Sequence, residues 1–75
     1  MARLNPQPFR EVKRRLEAAG FTEVSQKGSH VKFMRKRDEV VDVAIVPRKS
    51  VIRVGTLRSI LNQAHLSQED WERLG

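Results

Sequence analysis

Hydrophobic residues in this chain follow two different spacings, and the change between them limits the folds available to it. The first set recurs three or four positions apart, at Phe9, Val12, Leu16 and Ala19. This spacing forms the apolar stripe of an amphipathic helix. It predicts a first helix over about Pro8–Ala19, with Gly20 placed where a left-handed helix end is common.

The spacing then changes to alternation of apolar and polar residues, which is typical of strands. Alternation predicts three strands, at Phe21–Gln26, His30–Arg35 and Val40–Val46. The predicted links are short, Lys27-Gly28-Ser29 and Lys36-Arg37-Asp38-Glu39, and short links favour an antiparallel meander. Pro47 is expected to end the third strand because it has no N–H to donate.

Helical spacing returns in the last third of the chain. The second helix is predicted to open at Gly55-Thr56, and its apolar stripe consists of Leu57, Ile60, Leu61 and Ala64. Ser67 and Asp70 have the spacing of a capping box, which predicts a last short helix carrying Trp71 and Leu74. The predicted order is helix, three strands, helix and short helix, an α+β fold.

The predicted sheet has only two long helices to cover it. If both helices pack on one face, the opposite face stays open to water. Val31 and Phe33 share one parity of the second strand and are expected to face the helices. His30 and Lys32 have the other parity, so we expect them on the open face.

Length and composition exclude several classes of protein. The chain has 75 residues, which predicts one domain over residues 1–75, and no cysteine, so disulfides and thiolate metal sites are excluded. Met1–Phe9 resembles no signal peptide and no segment could span a membrane, so we expect a cytoplasmic protein. A net charge of +6 suits a nucleic-acid partner, or serves solubility alone.

Lys27-Gly28-Ser29-His30 is the strongest candidate for chemistry. The ordinary pKa of histidine is about 6.5, so an imidazole can exchange protons near neutral pH. RNA carries its own nucleophile, the ribose 2′-hydroxyl, so a histidine there could cut RNA by taking that proton. Lys27, Lys32 and the backbone at Gly28 and Ser29 could hold the phosphate. The alternative is a surface histidine without function.

Other charged residues give weaker signals. Arg48, Lys49, Arg53 and Arg58 form a second basic cluster, which suits contacts to phosphates or is simply solvated. The run Arg35–Arg37 is expected to be a solvated hairpin tip, and His65 a loop or capping residue. The spacing of histidines and carboxylates predicts no metal site, and no glycine-rich nucleotide loop or other cofactor motif is found.

Several segments of the chain, taken in order and spacing, resemble the HicA (YcfA-like) toxins. These segments are Gly20-Phe21, Gln26-Lys27-Gly28-Ser29-His30, Val46-Pro47, Gly55-Thr56-Leu57-Arg58-Ser59-Ile60-Leu61, Gln63-Ala64 and Leu66-Ser67. The resemblance implies a fold like that of double-stranded-RNA-binding domains (dsRBD-like), α-β-β-β-α with both helices on one face. It also implies an mRNA interferase with His30 as its catalytic residue, and a HicB-like antitoxin that blocks the active site.

Two positions depart from the pattern of these toxins. Arg48-Lys49-Ser50 stands where these toxins often carry a histidine-containing segment, and this difference could change RNA binding or specificity. His65 stands where they often have glycine, which bears on the cap of the second helix. A second reading also stays open: a non-catalytic RNA-binding module that uses the same basic face.

Overall fold

The computed structural model describes residues 3–75 and confirms the predicted order of elements. These are α1 (Phe9–Ala18), β1 (Thr22–Lys27), β2 (His30–Arg37), β3 (Val40–Pro47), α2 (Val54–Ala64) and α3 (Gln68–Arg73). The strands form one antiparallel sheet in the order β1-β2-β3. The fold is therefore the predicted α+β meander with flanking helices.

Helix α1 ends as its sequence predicts. Gly20 has a φ of 99°, in the range that side chains with a Cβ rarely adopt. Its N–H donates to Glu17 O at 3.0 Å, and the N–H of Phe21 donates to Leu16 O at 2.9 Å. These two bonds are a Schellman motif, which satisfies the last carbonyls of the helix and turns the chain into β1.

Helix α2 ends in the same way, although a histidine replaces the usual glycine. His65 has a φ of 55°, and the N–H of Leu66 donates to Leu61 O at 3.0 Å. The left-handed conformation costs a non-glycine residue about 1–2 kcal/mol. A side-chain bond offsets part of this cost, because His65 Nδ1 lies 2.7 Å from Asp42 Oδ1. His65 is thus the capping residue that the sequence predicted.

One hydrophobic core lies between the two long helices and one face of the sheet. Its buried residues are Phe9, Val12, Leu16, Phe21, Val31, Phe33, Ala44, Val46, Ile52, Leu57, Ile60, Leu61, Ala64 and Trp71. Val31 and Phe33 are fully buried, whereas His30 and Lys32 are exposed. The predicted parity of β2 is therefore confirmed.

The hairpins are tighter than the sequence predicted. Lys27 belongs to β1, so the first link is only Gly28-Ser29. β2 continues to Arg37, which leaves Asp38-Glu39 as the second link. Asp38 adopts a left-handed φ of 50°, and this allows the chain to reverse without using Lys36 and Arg37.

The prediction that Arg35–Arg37 is only a solvated tip is wrong for its two arginines. Both bind Asp42, a buried residue that is only 1% exposed. Arg37 Nε lies 2.7 Å and Arg35 Nη2 2.8 Å from Asp42 Oδ2, while His65 bonds the other oxygen. These hydrogen bonds, from Arg37 first, then Arg35 and His65, hold the pKa of Asp42 well below its ordinary range.

Arg35 also connects the sheet to the ends of both long helices. Its Nη1 donates to Ala19 O at 3.2 Å, just after α1, and its Nη2 donates to Ala64 O at 3.0 Å, in the last residue of α2. The guanidinium carbon lies 4.7 Å from the centre of the Phe21 ring. One arginine therefore satisfies carbonyls that the two helices leave free.

We expect Asp42→Asn to lower Tm by more than about 10 °C at pH 7, because it leaves the half-buried Arg35 without its counter-charge. Glu69→Gln is the matched control, since Glu69 lies 4.0 Å from Arg73 in an exposed pair. Its Tm should change by no more than a few degrees. Thermal unfolding followed by circular dichroism measures both, and equal effects would contradict the role of Asp42.

The same ion cluster gives an expected pH dependence. The pKa of Asp42 is lowered in the folded state. As pH falls, the Asp42 carboxylate is therefore protonated in the unfolded chain before it is protonated in the folded protein. The stabilisation is complete above the ordinary value of 3.8 and is lost as pH decreases below it. The wild-type Tm should therefore fall more steeply below pH 4 than that of Asp42→Asn.

Candidate functional site

His30 begins β2 and lies on the open face of the sheet, opposite one residue of each neighbouring strand. It pairs with Lys27 of β1 and Pro47 of β3. Lys32, two residues along β2, shares the face and pairs with Ser25 and Ile45. Side chains at directly opposed positions lie close enough to contact one another. The exposed imidazole therefore has lysine side chains on two sides.

A bulge in β1 brings Lys27 to this face. The pairing register shifts between Glu23 and Ser25, so Val24 is an extra residue in the strand. Because side chains alternate, one extra residue reverses the facing of every residue after it. Regular pairing from Glu23 onward would set Gln26, and not Lys27, opposite His30. Nothing in the sequence pattern of β1 predicts this bulge.

The tight turn before His30 depends on Gly28. Of the two linking residues, only Gly28 has a positive φ, 58°, which is the pattern of a type II′ turn. A Cβ built on Gly28 would meet no heavy atom within 4 Å. The backbone of the turn is therefore open to approach from solvent.

An open groove of about 560 Å³ runs beside these residues. Its lining consists of Ser25, Lys27, Gly28, His30, Lys32 and Ile45. Two of these residues are lysines and none is a carboxylate, so the groove attracts anions. Sequence reasoning did not identify Ser25 and Ile45. The cross-strand pairing with Lys32 places them in the groove, and the β1 side of that pairing depends on the bulge.

The remaining predicted residues lie outside the groove. Ser29 is the second residue of the turn, and Arg48, which follows β3, adjoins it because its N–H donates to Ser29 O at 2.6 Å. Lys49 is exposed, and its carbonyl accepts from Phe9 N at 3.3 Å. Arg58 is an exposed residue of α2. Lys27, Gly28, His30 and Lys32 are thus the predicted residues that the fold brings together.

The second histidine belongs to a different part of the molecule. His65 bonds the buried Asp42, which lies on the helix-covered face of β3, five residues before Pro47. Within residues 3–75, no three His, Asp or Glu side chains form a group suited to a metal ion. In the same residues, no helix is sufficiently long and apolar to cross a membrane.

A three-stranded antiparallel sheet with both helices on one face and a cationic groove on the other defines an α+β domain of dsRBD-like fold. The model of the family described as HicA toxin of bacterial toxin-antitoxin matches residues 9–66. The chain belongs to this family, and so to the toxins of bacterial toxin–antitoxin systems. A comparison with curated protein sequences gave no match.

The turn conformation gives a prediction for stability. Gly28→Ala should lower the free energy of unfolding by about 1–2 kcal/mol, because alanine is strained at this positive φ. Gly55→Ala is the matched control: it has equal space around its Cβ, and it lies in helix α2. That variant should be unchanged or more stable. Urea unfolding measures both, and equal losses would contradict the assigned turn.

Proposed function

We propose that this toxin is an mRNA interferase, a metal-independent endoribonuclease that uses His30 as its single catalytic side chain. The observation that supports it most is the exposed imidazole on the open sheet face, between Lys27 and Lys32 in a groove without carboxylates. Membership of the HicA toxin family supports the same proposal. No cofactor takes part in it.

The proposed chemistry needs one proton acceptor. His30 takes the proton of a ribose 2′-hydroxyl, and the 2′-oxygen attacks the adjacent phosphorus. A bond forms from the 2′-oxygen to phosphorus, the bond from phosphorus to the 5′-oxygen breaks, and the 5′-oxygen takes a proton from solvent. General base catalysis of this kind contributes about 10²- to 10⁴-fold.

The charge that develops on the phosphate is held by the residues around the imidazole. Lys27 and Lys32 lie in the groove with His30, and the open backbone of Gly28 and Ser29 offers N–H groups. The exposed Lys49 and Arg58 would extend the contacts to neighbouring phosphates.

The proposal includes a HicB-like antitoxin that covers the same face in the cytoplasm. Ile45, which lines the groove, is 38% exposed, and Val41, four residues earlier on the same face of β3, is 49% exposed. Exposed aliphatic side chains next to a charged groove are typical of surfaces that bind another protein. An acidic, partly apolar partner would complement both features.

The test is cleavage of single-stranded RNA by purified toxin in excess EDTA. We expect the wild type to cut and His30→Ala to lose at least about 100-fold in rate while remaining folded. His65→Asn is the matched control, because it removes the other histidine but tolerates the left-handed conformation. It should cut at the wild-type rate if it remains folded.

Three outcomes would count against the proposal. Full cutting by His30→Ala would show that another group carries the chemistry. Loss of cutting in EDTA, restored by added metal, would contradict metal independence. RNA binding that weakens with salt, with no cleavage by the wild type, would favour the non-catalytic RNA-binding module.

A further inference from the structure

We infer that Arg48 and Gln26 are positioning residues, which fix the Gly28-Ser29 turn and through it the catalytic His30. This inference rests on the proposed function and assigns Arg48 a role other than contact with RNA. It follows from a continuous set of contacts that begins at Phe9 of α1, passes through these two side chains and ends on the turn.

Gln26 holds the first carbonyl of the turn. Its Nε2 donates to Gly28 O at 3.0 Å, and its Oε1 accepts from Arg48 Nη2 at 3.1 Å. A guanidinium can only donate and a carbonyl oxygen can only accept, so the two partners fix which way the amide points. Gln26 therefore bridges Arg48 to the turn in one orientation.

Arg48 bonds the second carbonyl of the turn, that of Ser29, and its side chain packs on a buried ring of α1. Its backbone N–H donates to Ser29 O at 2.6 Å. Its guanidinium carbon lies 4.6 Å from the centre of the Phe9 ring, and Phe9 is a buried residue at the start of α1. A planar guanidinium can stack on an aromatic ring with its face and donate a hydrogen bond to Gln26 with its edge at the same time.

The consequence concerns the placement of the imidazole. The Gly28-Ser29 turn is exposed and directly precedes His30. Substitution of Gln26 or Arg48 would remove the side-chain support of the turn and leave the backbone bond to Ser29 and the sheet pairing in place. A misplacement of about 1 Å between reacting groups costs on the order of 100-fold in rate. Loosening the turn should therefore lower kcat and leave RNA affinity unchanged.

The test compares Gln26→Met, Arg48→Met and the double variant with Arg73→Met. Arg73 is an exposed arginine of α3, so its variant controls for the loss of one positive charge. We expect kcat to fall about 10- to 100-fold in Gln26→Met and Arg48→Met, with KM and its salt dependence unchanged. The double variant should be no worse than either single one, because both break the same bridge.

Backbone order parameters of Gly28 and Ser29, measured by NMR, test the inference without any cleavage. They should decrease in both single variants and remain at wild-type values in Arg73→Met. A raised KM and a smaller salt slope in Arg48→Met, with unchanged kcat, would identify a phosphate contact and overturn the inference. An unaltered turn would also overturn it. A wild type that cuts no RNA would refute the proposed function, and the order parameters would then decide the inference alone.

Discussion

A buried carboxylate on the sheet is linked, through Arg35, to the ends of both long helices. Asp42 lies on the helix-covered face of β3, where Arg35, Arg37 and His65 all bond to it. Arg35 in turn bonds carbonyls at the ends of both long helices. A buried charge is tolerated only when its bonds are satisfied, and this cluster satisfies them by tying the two helices to the same face of the sheet. The opposite face is left without a cover.

That uncovered face gives the molecule its cationic groove. Two local features refine it: the bulge at Val24, which turns Lys27 toward His30, and the type II′ turn at Gly28, which keeps the two strands close. The groove contains lysines and a histidine but no carboxylate among its lining residues. Such a groove attracts a polyanion, and its exposed imidazole can accept the proton of a ribose 2′-hydroxyl. These two properties are the basis for proposing RNA as the substrate.

Much of this could be predicted from the sequence, because alternation and helical spacing report directly on burial. They gave the element order, the helix end at Gly20 and the exposure of His30. The bulge could not be predicted, since an extra residue in a strand leaves no mark in a polar segment such as β1. The bonds of Asp42 and Arg48 were missed for another reason. His65 bonds Asp42 from 23 positions away and Arg48 bonds Gln26 from 22 positions away, and neither spacing forms a local pattern. Arg35 and Arg37 reach Asp42 across the β2–β3 hairpin, so a charge run that looked solvated is engaged in cross-strand contacts.

In the proposed function, RNA binds across the open face, with a ribose–phosphate beside His30. The most direct measurement is an NMR titration of the wild-type toxin with a 2′-O-methyl RNA oligonucleotide, which lacks the free 2′-hydroxyl and so stays intact. We expect the signals of His30, Lys32 and Gly28 to shift on binding and those of the His65 imidazole to stay in place. Shifts at His65 and along the helices, with the His30 signals unchanged, would contradict this expectation.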